Sequence, residues 1–137
     1  MNNKYKRGTN YRKTFFKYKK GLFGLNLYHC AYCGKFLTQK RLTVDHLIPV
    51  NKVKYRGIGR IIMKLSGVKN INDINNLVAS CKHCNSKKSD KMGFWLIRGY
   101  VGQYFVFWLI IWIVLLACII YILKNNSNEI ISFINAL

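Results

Sequence analysis

The most distinctive pattern in the chain is an uninterrupted apolar run near its C-terminal end. From Tyr104 to Leu123 the sequence reads YFVFWLIIWIVLLACIIYIL, 20 residues without a charge or a proline. A helix of this length extends about 30 Å, which is the thickness of the hydrocarbon core of a bilayer. A buried core helix is the alternative, but so small a domain cannot surround such a helix on all sides. The run therefore predicts a single transmembrane helix.

Before this run, apolar residues recur only in short patterns. Leu42–His46 alternates and predicts a short strand that ends before Pro49, and Asn76–Ser80 predicts a second strand. The lysine-rich segment from Cys84 to about Met92 predicts a helix. Residues 50–72 contain glycines, basic residues and a small apolar patch, and predict a long basic loop with room for one helical turn.

These patterns predict an α+β fold class, with one small domain followed by a single membrane helix. The N-terminal arm is basic and aromatic, which suits either nucleic-acid contacts or folding onto the domain. The short tail carries apolar residues that suit an interfacial turn. The predicted segments are the arm at 1–27, the domain at 28–92, a juxtamembrane linker at 93–103, the transmembrane helix at 104–123 and the tail at 124–137.

Charge distinguishes the domain from the apolar run. The formal net charge is +19, and all of it falls on residues 1–98 because Lys124 and Glu129 cancel. So basic a segment attracts a polyanion, either nucleic acid or the anionic face of a bilayer, and the near absence of acidic residues favours nucleic acid. Because the basic residues precede the apolar run, charge asymmetry predicts that the N-terminal domain lies in the cytoplasm.

Cysteine spacing indicates a metal site. Four of the five cysteines form two C-x-x-C pairs, 30-CAYC-33 and 81-CKHC-84, while Cys118 lies in the apolar run. The N-terminus lacks the apolar segment of a signal peptide, which favours reduced thiols in a cytosolic-facing domain. The spacing predicts a closed tetrahedral site for a structural Zn²⁺ with four ligands, Cys30, Cys33, Cys81 and Cys84.

A second set of polar residues accompanies these cysteines. Asp45 and His46 are consecutive on a predicted strand, so their side chains leave on opposite faces. One can bind a cation while the other addresses a water molecule from another direction. Asn85 directly follows the second cysteine pair and offers an amide oxygen, a ligand suited to Mg²⁺ or Mn²⁺. Zinc binding by Cys81 and Cys84 would fix the direction of this amide.

Together these motifs resemble the His-Asn-His (HNH) endonuclease family, in its variant with four zinc-binding cysteines and an asparagine at the third motif position. The resemblance covers roughly residues 28–92 and implies a ββα-metal fold. Two departures are the long segment 50–72 and the apolar run, which the family domain lacks. The residues that carry the resemblance are 30-CAYC-33, the D-H-x-x-P sequence at 45–49, N-L at 76–77 and 81-CKHCNSKK-88.

The resemblance implies a role for each polar residue. His46 would be the general base that activates water, and Asn76 would hold the backbone or ring of His46 in place. Asp45 and Asn85 would bind one divalent cation, Mg²⁺ or Mn²⁺, which contacts the scissile phosphate.

Lys87 and Lys88 are expected to bind the phosphates of nucleic acid, although both could simply be solvated. The roles of the other polar residues have structural counterparts as well. His46 could be a structural histidine, Asn75 could take the role of Asn76, and Asn85 could be a helix cap.

The sequence thus predicts a membrane-anchored endonuclease that hydrolyses phosphodiester bonds in DNA, with double-stranded DNA as the expected substrate. Two other classes of function remain. One is a non-catalytic, zinc-stabilised module that tethers nucleic acid to the membrane. The other is a membrane protein whose basic domain only meets anionic lipid.

Overall fold

Two short antiparallel pairs of strands make up the sheet structure. The computed structural model describes residues 3–54 and 57–126, and the chain divides after Phe105 into two units. Strand β1 (Leu27–His29) pairs with β2 (Phe36–Thr38), and β3 (Leu42–His46) pairs with β4 (Leu77–Cys81). Strand β3 has the predicted bounds, and β4 begins and ends one residue later than predicted.

Helices precede, separate and follow these strand pairs along the chain, and the mixture confirms an α+β domain with one long apolar helix after it. Short 3-10 turns cover Asn3–Tyr5, Leu22–Gly24 and Ile74–Asn76. In the described residues the helices are α1 (Tyr11–Tyr18), α2 (Val50–Lys54), α3 (Ile58–Leu65), α4 (Lys82–Lys88), α5 (Phe94–Gly102) and α6 (Phe105–Asn125).

The segment predicted as a long loop, residues 50–72, is instead largely helical. Helices α2 and α3 occupy it and pack against each other. They contribute Val53 and Met63 to a buried cluster with Ile48, Val68 and Ile71. The prediction of a loop was wrong because the glycines were interpreted as breakers, whereas burial of these apolar side chains stabilises both short helices.

The segment predicted as a juxtamembrane linker, residues 93–103, also contains a helix, α5. Its glycines permit close packing. A Cβ atom on Gly99 would lie 2.6 Å from Leu47 Cδ2 and 2.6 Å from Tyr32 Cε1. Helix α5 can therefore lie directly against the segment that follows β3.

The N-terminal arm folds onto the domain, which supports one of its two interpretations. Phe15 of α1 is buried in the main core cluster. The guanidinium of Arg12 donates a hydrogen bond to Leu42 O (2.9 Å), and Lys19 Nζ donates one to Leu77 O (2.9 Å). Helix α1 and the residue that ends it are thereby attached to both strands of the β3–β4 pair.

Helix α6 is the candidate membrane span of the second unit. It extends from Phe105 to Asn125, close to the predicted residues 104–123, and is long and apolar enough to cross a membrane by length and composition. The tail beyond residue 126, where an interfacial turn was expected, lies outside the described residues.

We predict that Gly99→Ala destabilises the domain by about 1–3 kcal/mol, because the added methyl group overlaps Leu47 and Tyr32 in a closely packed core. Denaturant unfolding of the purified chain in detergent measures the free energy. Ile97→Ala, on the exposed side of the same helix, is the control and should change it by less than about 0.5 kcal/mol. Equal effects of the two changes would contradict the close approach at Gly99.

Candidate active site

The four paired cysteines converge in the folded chain. Their Sγ atoms all lie within 4.8 Å of one another. Four Zn–S bonds of about 2.3 Å in a tetrahedron separate the sulfurs by roughly 3.8 Å, so the cluster has the size that one zinc ion needs. Cys30, Cys33, Cys81 and Cys84 can therefore hold a metal ion such as zinc.

The ends of strands β1 and β4 bring these cysteines together. Gly34 directly follows the first pair and has a φ of 73°, a left-handed conformation that glycine adopts without strain. Ala31 N donates a hydrogen bond to Ala79 O (2.8 Å), which joins the first pair to β4. In the second pair, Cys81 is the N-cap of α4 and its Sγ accepts a hydrogen bond from Cys84 N (3.4 Å).

Burial makes the thiols of Cys30 and Cys84 poor nucleophiles. It raises the pKa of Cys30 to about 11 and raises that of Cys84 as well. Such thiols stay protonated at neutral pH unless a bound cation stabilises the thiolate. At Cys81 burial acts in the same direction, but hydrogen bonds from Cys84 N and the neighbouring thiols outweigh it and lower the pKa. The thiols of Cys30 and Cys84 therefore fit metal ligands better than redox or nucleophilic cysteines.

The Asp45 carboxylate is contacted by one side chain from each of the two segments that carry the cysteine pairs. The hydroxyl of Tyr32, which lies inside the first pair, donates a hydrogen bond to Asp45 Oδ2 (2.6 Å). The Nζ atom of Lys88, at the end of α4, lies 3.0 Å from the same oxygen. Since both contacts go to Oδ2, Oδ1 is the atom that Asp45 could offer to a cation.

Burial and the neighbouring carboxylate of Asp45 hold the pKa of Tyr32 far above its usual range. Tyr32 therefore stays protonated and acts as a hydrogen-bond donor. Its contact with Asp45 is a charge-assisted bond in the interior, which is about twice as strong as a neutral one. The orientation of the carboxylate is fixed accordingly.

Lys88 does not occupy the position expected for a phosphate contact. Its side chain is fully buried, and Nζ also donates a hydrogen bond to His46 O (2.8 Å). The expectation that Lys88 binds nucleic acid is corrected by this placement, because the ammonium group faces Asp45 and the backbone of β3. Lys87 is exposed, so a phosphate contact by Lys87 stays a prediction.

His46 contacts a different part of the chain from Asp45, in keeping with their opposite directions on β3. Its ring lies 5.0 Å from the ring of Tyr11, between centroids, and Nε2 lies 3.3 Å from Asn72 Oδ1. The Asn72 amide is oriented by two further bonds, because Oδ1 accepts from Gly8 N (3.0 Å) and Nδ2 donates to Lys6 O (2.8 Å).

This orientation assigns the ring proton of His46. Asn72 presents its carbonyl oxygen, so Nε2 of the neutral imidazole carries the proton and donates it to Oδ1. The other nitrogen, Nδ1, is left with the lone pair that can accept a proton. Asn72 and the N-terminal arm thus select the basic nitrogen of His46.

Burial lowers the pKa of His46 below its ordinary value of 6.5, and the positive charges of Arg7 and Lys88 lower it further. The hydrogen bond that His46 donates to Asn72 and the charge of Asp45 act in the opposite direction but do not outweigh burial. The ring is therefore neutral at pH 7, as a general base must be.

Asn76 is fully buried and holds the backbone just beyond His46. Its Oδ1 accepts a hydrogen bond from Ile48 N (2.8 Å), while Nδ2 donates to Ile48 O (3.3 Å) and Ile71 O (2.8 Å). The Asn75 side chain is exposed, so Asn76 and not Asn75 makes these backbone contacts. These contacts position the backbone and place Asn76 in a supporting role.

Asn85 lies within α4 and does not begin it. The helix starts at Lys82 with Cys81 as its N-cap, so the interpretation of Asn85 as a helix cap is wrong. The helix starts and ends earlier than the predicted Cys84–Met92 because Cys81 caps it and Ser89 has a φ of 50°.

A single cavity of about 520 Å³ is lined by Asp45, His46 and Asn85. Two oxygen ligands from the chain, Asp45 Oδ1 and the Asn85 amide, fit a Mg²⁺-type cation, which keeps several water molecules and takes further oxygens from a phosphate. The rim is mixed in charge but mainly basic. The charged residues of the lining, besides Asp45, are Lys6, Arg7, Lys54 and Asp90.

Several residues of the site had not been predicted as part of it. Tyr32 could have been suspected, because it sits between two metal-binding cysteines. Tyr11 and Asn72 carried no such signal, since Asn72 is 26 positions from His46 in sequence and Tyr11 is even farther away. Only the fold brings them to the imidazole.

Comparison with known proteins supports the family resemblance. Residues 61–91 match the sequence model of a family described as HNH endonuclease. The matched segment includes Asn72, Asn76, the second cysteine pair and Asn85. The resemblance is confirmed over this segment and indicates a nuclease or a nucleic-acid-related function. Neither the curated proteins nor the solved structures gave a match.

We predict that Lys88→Met lowers the free energy of unfolding by about 3–5 kcal/mol, because it leaves the buried Asp45 carboxylate without its counter-charge. Denaturant unfolding measures this change. Lys87→Met, at the exposed neighbouring position, is the matched control and should change stability by less than about 0.5 kcal/mol.

A phosphate-binding Lys88 would behave differently. Lys88→Met would then preserve stability, weaken DNA binding uniformly across sequences and reduce the salt dependence of binding by about one counterion. That combination would contradict the interior ion pair.

Proposed function

We propose that this protein, whose residues 61–91 match the HNH endonuclease family, is a membrane-anchored, metal-dependent endonuclease that cleaves DNA at the cytoplasmic face. The observation that carries the proposal is the shared cavity. It is lined by a neutral imidazole, a carboxylate with one oxygen left for a cation, and an amide, from His46, Asp45 and Asn85.

The chain's own residues account for the proton transfer. Nδ1 of His46 takes a proton from the water that attacks the phosphorus atom, while Asn72 keeps Nε2 protonated and the ring in place. Asp45 and Asn85 would hold a divalent cation, which when bound offsets negative charge on the reacting phosphate. Asn76 holds the Leu47–Ile48 backbone, and so keeps the end of β3 in register.

The surroundings of the cavity suit a polyanionic substrate. Lys6, Arg7 and Lys54 line it, and the net charge of +19 falls on the part of the chain that contains it. Such contacts bind the phosphate backbone and carry no base sequence information. Double-stranded DNA is the substrate we propose, and sequence selectivity need not follow from these residues.

Membrane anchoring is the second part of the proposal. It is supported by α6, which is long and apolar enough to cross a bilayer, and by the excess of basic residues before it. Only Gln103 and Tyr104 separate α5 of the domain from α6 along the chain, so the nuclease site would act close to the membrane surface.

The decisive experiment incubates the purified chain in detergent with plasmid DNA and Mg²⁺. His46→Ala should reduce the cleavage rate by about 10²–10⁴-fold, the usual contribution of a general base. His83→Ala is the matched control, because His83 is exposed and lies outside the cavity, and it should retain the rate of the unmodified chain.

Equal rates for the His46 and His83 variants would contradict a role for His46 in the chemistry. Binding of plasmid by the unmodified chain without Mg²⁺-dependent cleavage would favour a non-catalytic tether. Zinc content is measured for each variant, so that loss of the fold is distinguished from loss of the base.

A further inference from the structure

Helix α3 presents an unexpected apolar stripe to solvent. Ile58, Ile61 and Leu65 recur at the spacing of one helix face, and each is more than half exposed, with Leu65 82% exposed. The opposite side of the helix, with Met63, supplies the core. An amphipathic helix normally buries its apolar face, so α3 exposes far more apolar surface than a soluble domain requires.

Helix α5 repeats this pattern. Phe94, Ile97 and Val101 recur at the same spacing, and all three are exposed, with Phe94 69% exposed. Two such stripes are less easily dismissed than single exposed apolar residues, which are normal on protein surfaces.

The two helices are neighbours, because they share a groove of about 460 Å³. Helix α3 and the residue after it contribute Ile62 and Ser66, and α5 contributes Leu96, Ile97 and Tyr100. Leu96 also packs against the cluster that contains Met63 of α3. Ile97 belongs both to its stripe and to the groove, and Ile62 follows Ile61 of the other stripe. The two stripes are taken together as the α3–α5 surface, defined by Ile58, Ile61, Leu65, Phe94, Ile97 and Val101.

We propose that the α3–α5 surface docks onto the interfacial region of an anionic lipid bilayer. Three apolar residues from each helix would enter the boundary between headgroups and acyl chains, as the apolar face of an interfacial helix does. The shared groove would accept part of an acyl chain. This contact is additional to the span and involves a different part of the chain.

Chain continuity supports a bilayer as the occupant. Helix α5 ends at Gly102, and α6 begins at Phe105 after Gln103 and Tyr104. If α6 spans the membrane, the end of α5 must lie within a few ångströms of the headgroups. An apolar stripe on that helix is then within reach of a membrane without further tethering.

Charge supports an anionic bilayer in particular. Lys64 lies beside the apolar stripe of α3 and is exposed, and Arg98 lies on α5. The domain carries the whole net charge of +19, and each basic side chain near an anionic membrane surface adds about 1 kcal/mol of attraction. Basic residues that flank an apolar stripe are the usual composition of an interfacial helix.

The proposal rests on the membrane-anchoring part of the proposed function and is independent of nuclease activity. The experiment incorporates a photoreactive benzoylphenylalanine at one position of the full chain, reconstituted in vesicles of phosphatidylcholine with or without phosphatidylglycerol. The test positions are Leu65 and Ile97. Leu25 is the control for an exposed apolar position outside the α3–α5 surface, and Leu116 reports insertion of α6.

Lipid adducts at positions 65 and 97 but not at 25, with a severalfold higher yield when phosphatidylglycerol is present, are the expected result. Adducts at 116 without adducts at 65 and 97 would overturn the docking and leave the span intact. No adducts at any position would overturn both. Adducts at 65 and 97 without one at 116 would support docking and refute the span.

A crosslink from position 65 or 97 to a second copy of the chain, in place of lipid, would overturn the proposal and assign the surface to self-association. Equal yields in the two kinds of vesicle would overturn the role of anionic headgroups. Zinc content and DNA binding should match those of the unmodified chain, since both test side chains are more than half exposed.

Discussion

The structure depends on how two buried side chains, Tyr32 and Lys88, hold the carboxylate of Asp45. Tyr32 reaches it from the first cysteine pair and Lys88 from the helix that follows the second. Zinc binding by the four cysteines would join the two segments of the chain that carry these side chains. A charged group in the interior is tolerated only when it is paired and hydrogen-bonded. The two contacts to Asp45 therefore both stabilise the fold and fix the direction of the ligand oxygen.

A domain of this size has a small hydrophobic core, so the rest of the site depends on hydrogen bonds between side chains and the backbone. Asn76 holds the chain after β3, and Asn72 connects the imidazole of His46 to the backbone of the N-terminal arm. Helix α1 is bonded in turn to both strands of the β3–β4 pair. Small domains commonly compensate for a small core with metal ions or crosslinks, and here the metal site and the candidate active site share the same elements.

The sequence predicted those features that a short motif or run of residues specifies, and it failed for segments whose structure depends on burial in the core. The cysteine spacing, the strand at Leu42–His46 and the apolar run each carry their own signal, and the structure confirms an α+β domain with one long apolar helix. Residues 50–72 and 93–103 were misjudged because glycine propensity is a weak guide when Met63 or Gly99 is packed into a core. Lys88 was misjudged because a lysine in a basic run gives no sign that it is the one buried against a carboxylate.

The central claim, that sulfur-bound zinc fixes the geometry of the site, is tested most directly by measuring zinc content and DNA cleavage on the same sample. The chain should contain one equivalent of zinc. Extraction with a chelator, followed by transfer into Mg²⁺, should abolish cleavage, and returning zinc should restore it. Without zinc, the segments that carry Tyr32 and Lys88 are no longer joined, so Asp45 is no longer held in place. Full cleavage activity in a folded, zinc-free chain would contradict the account.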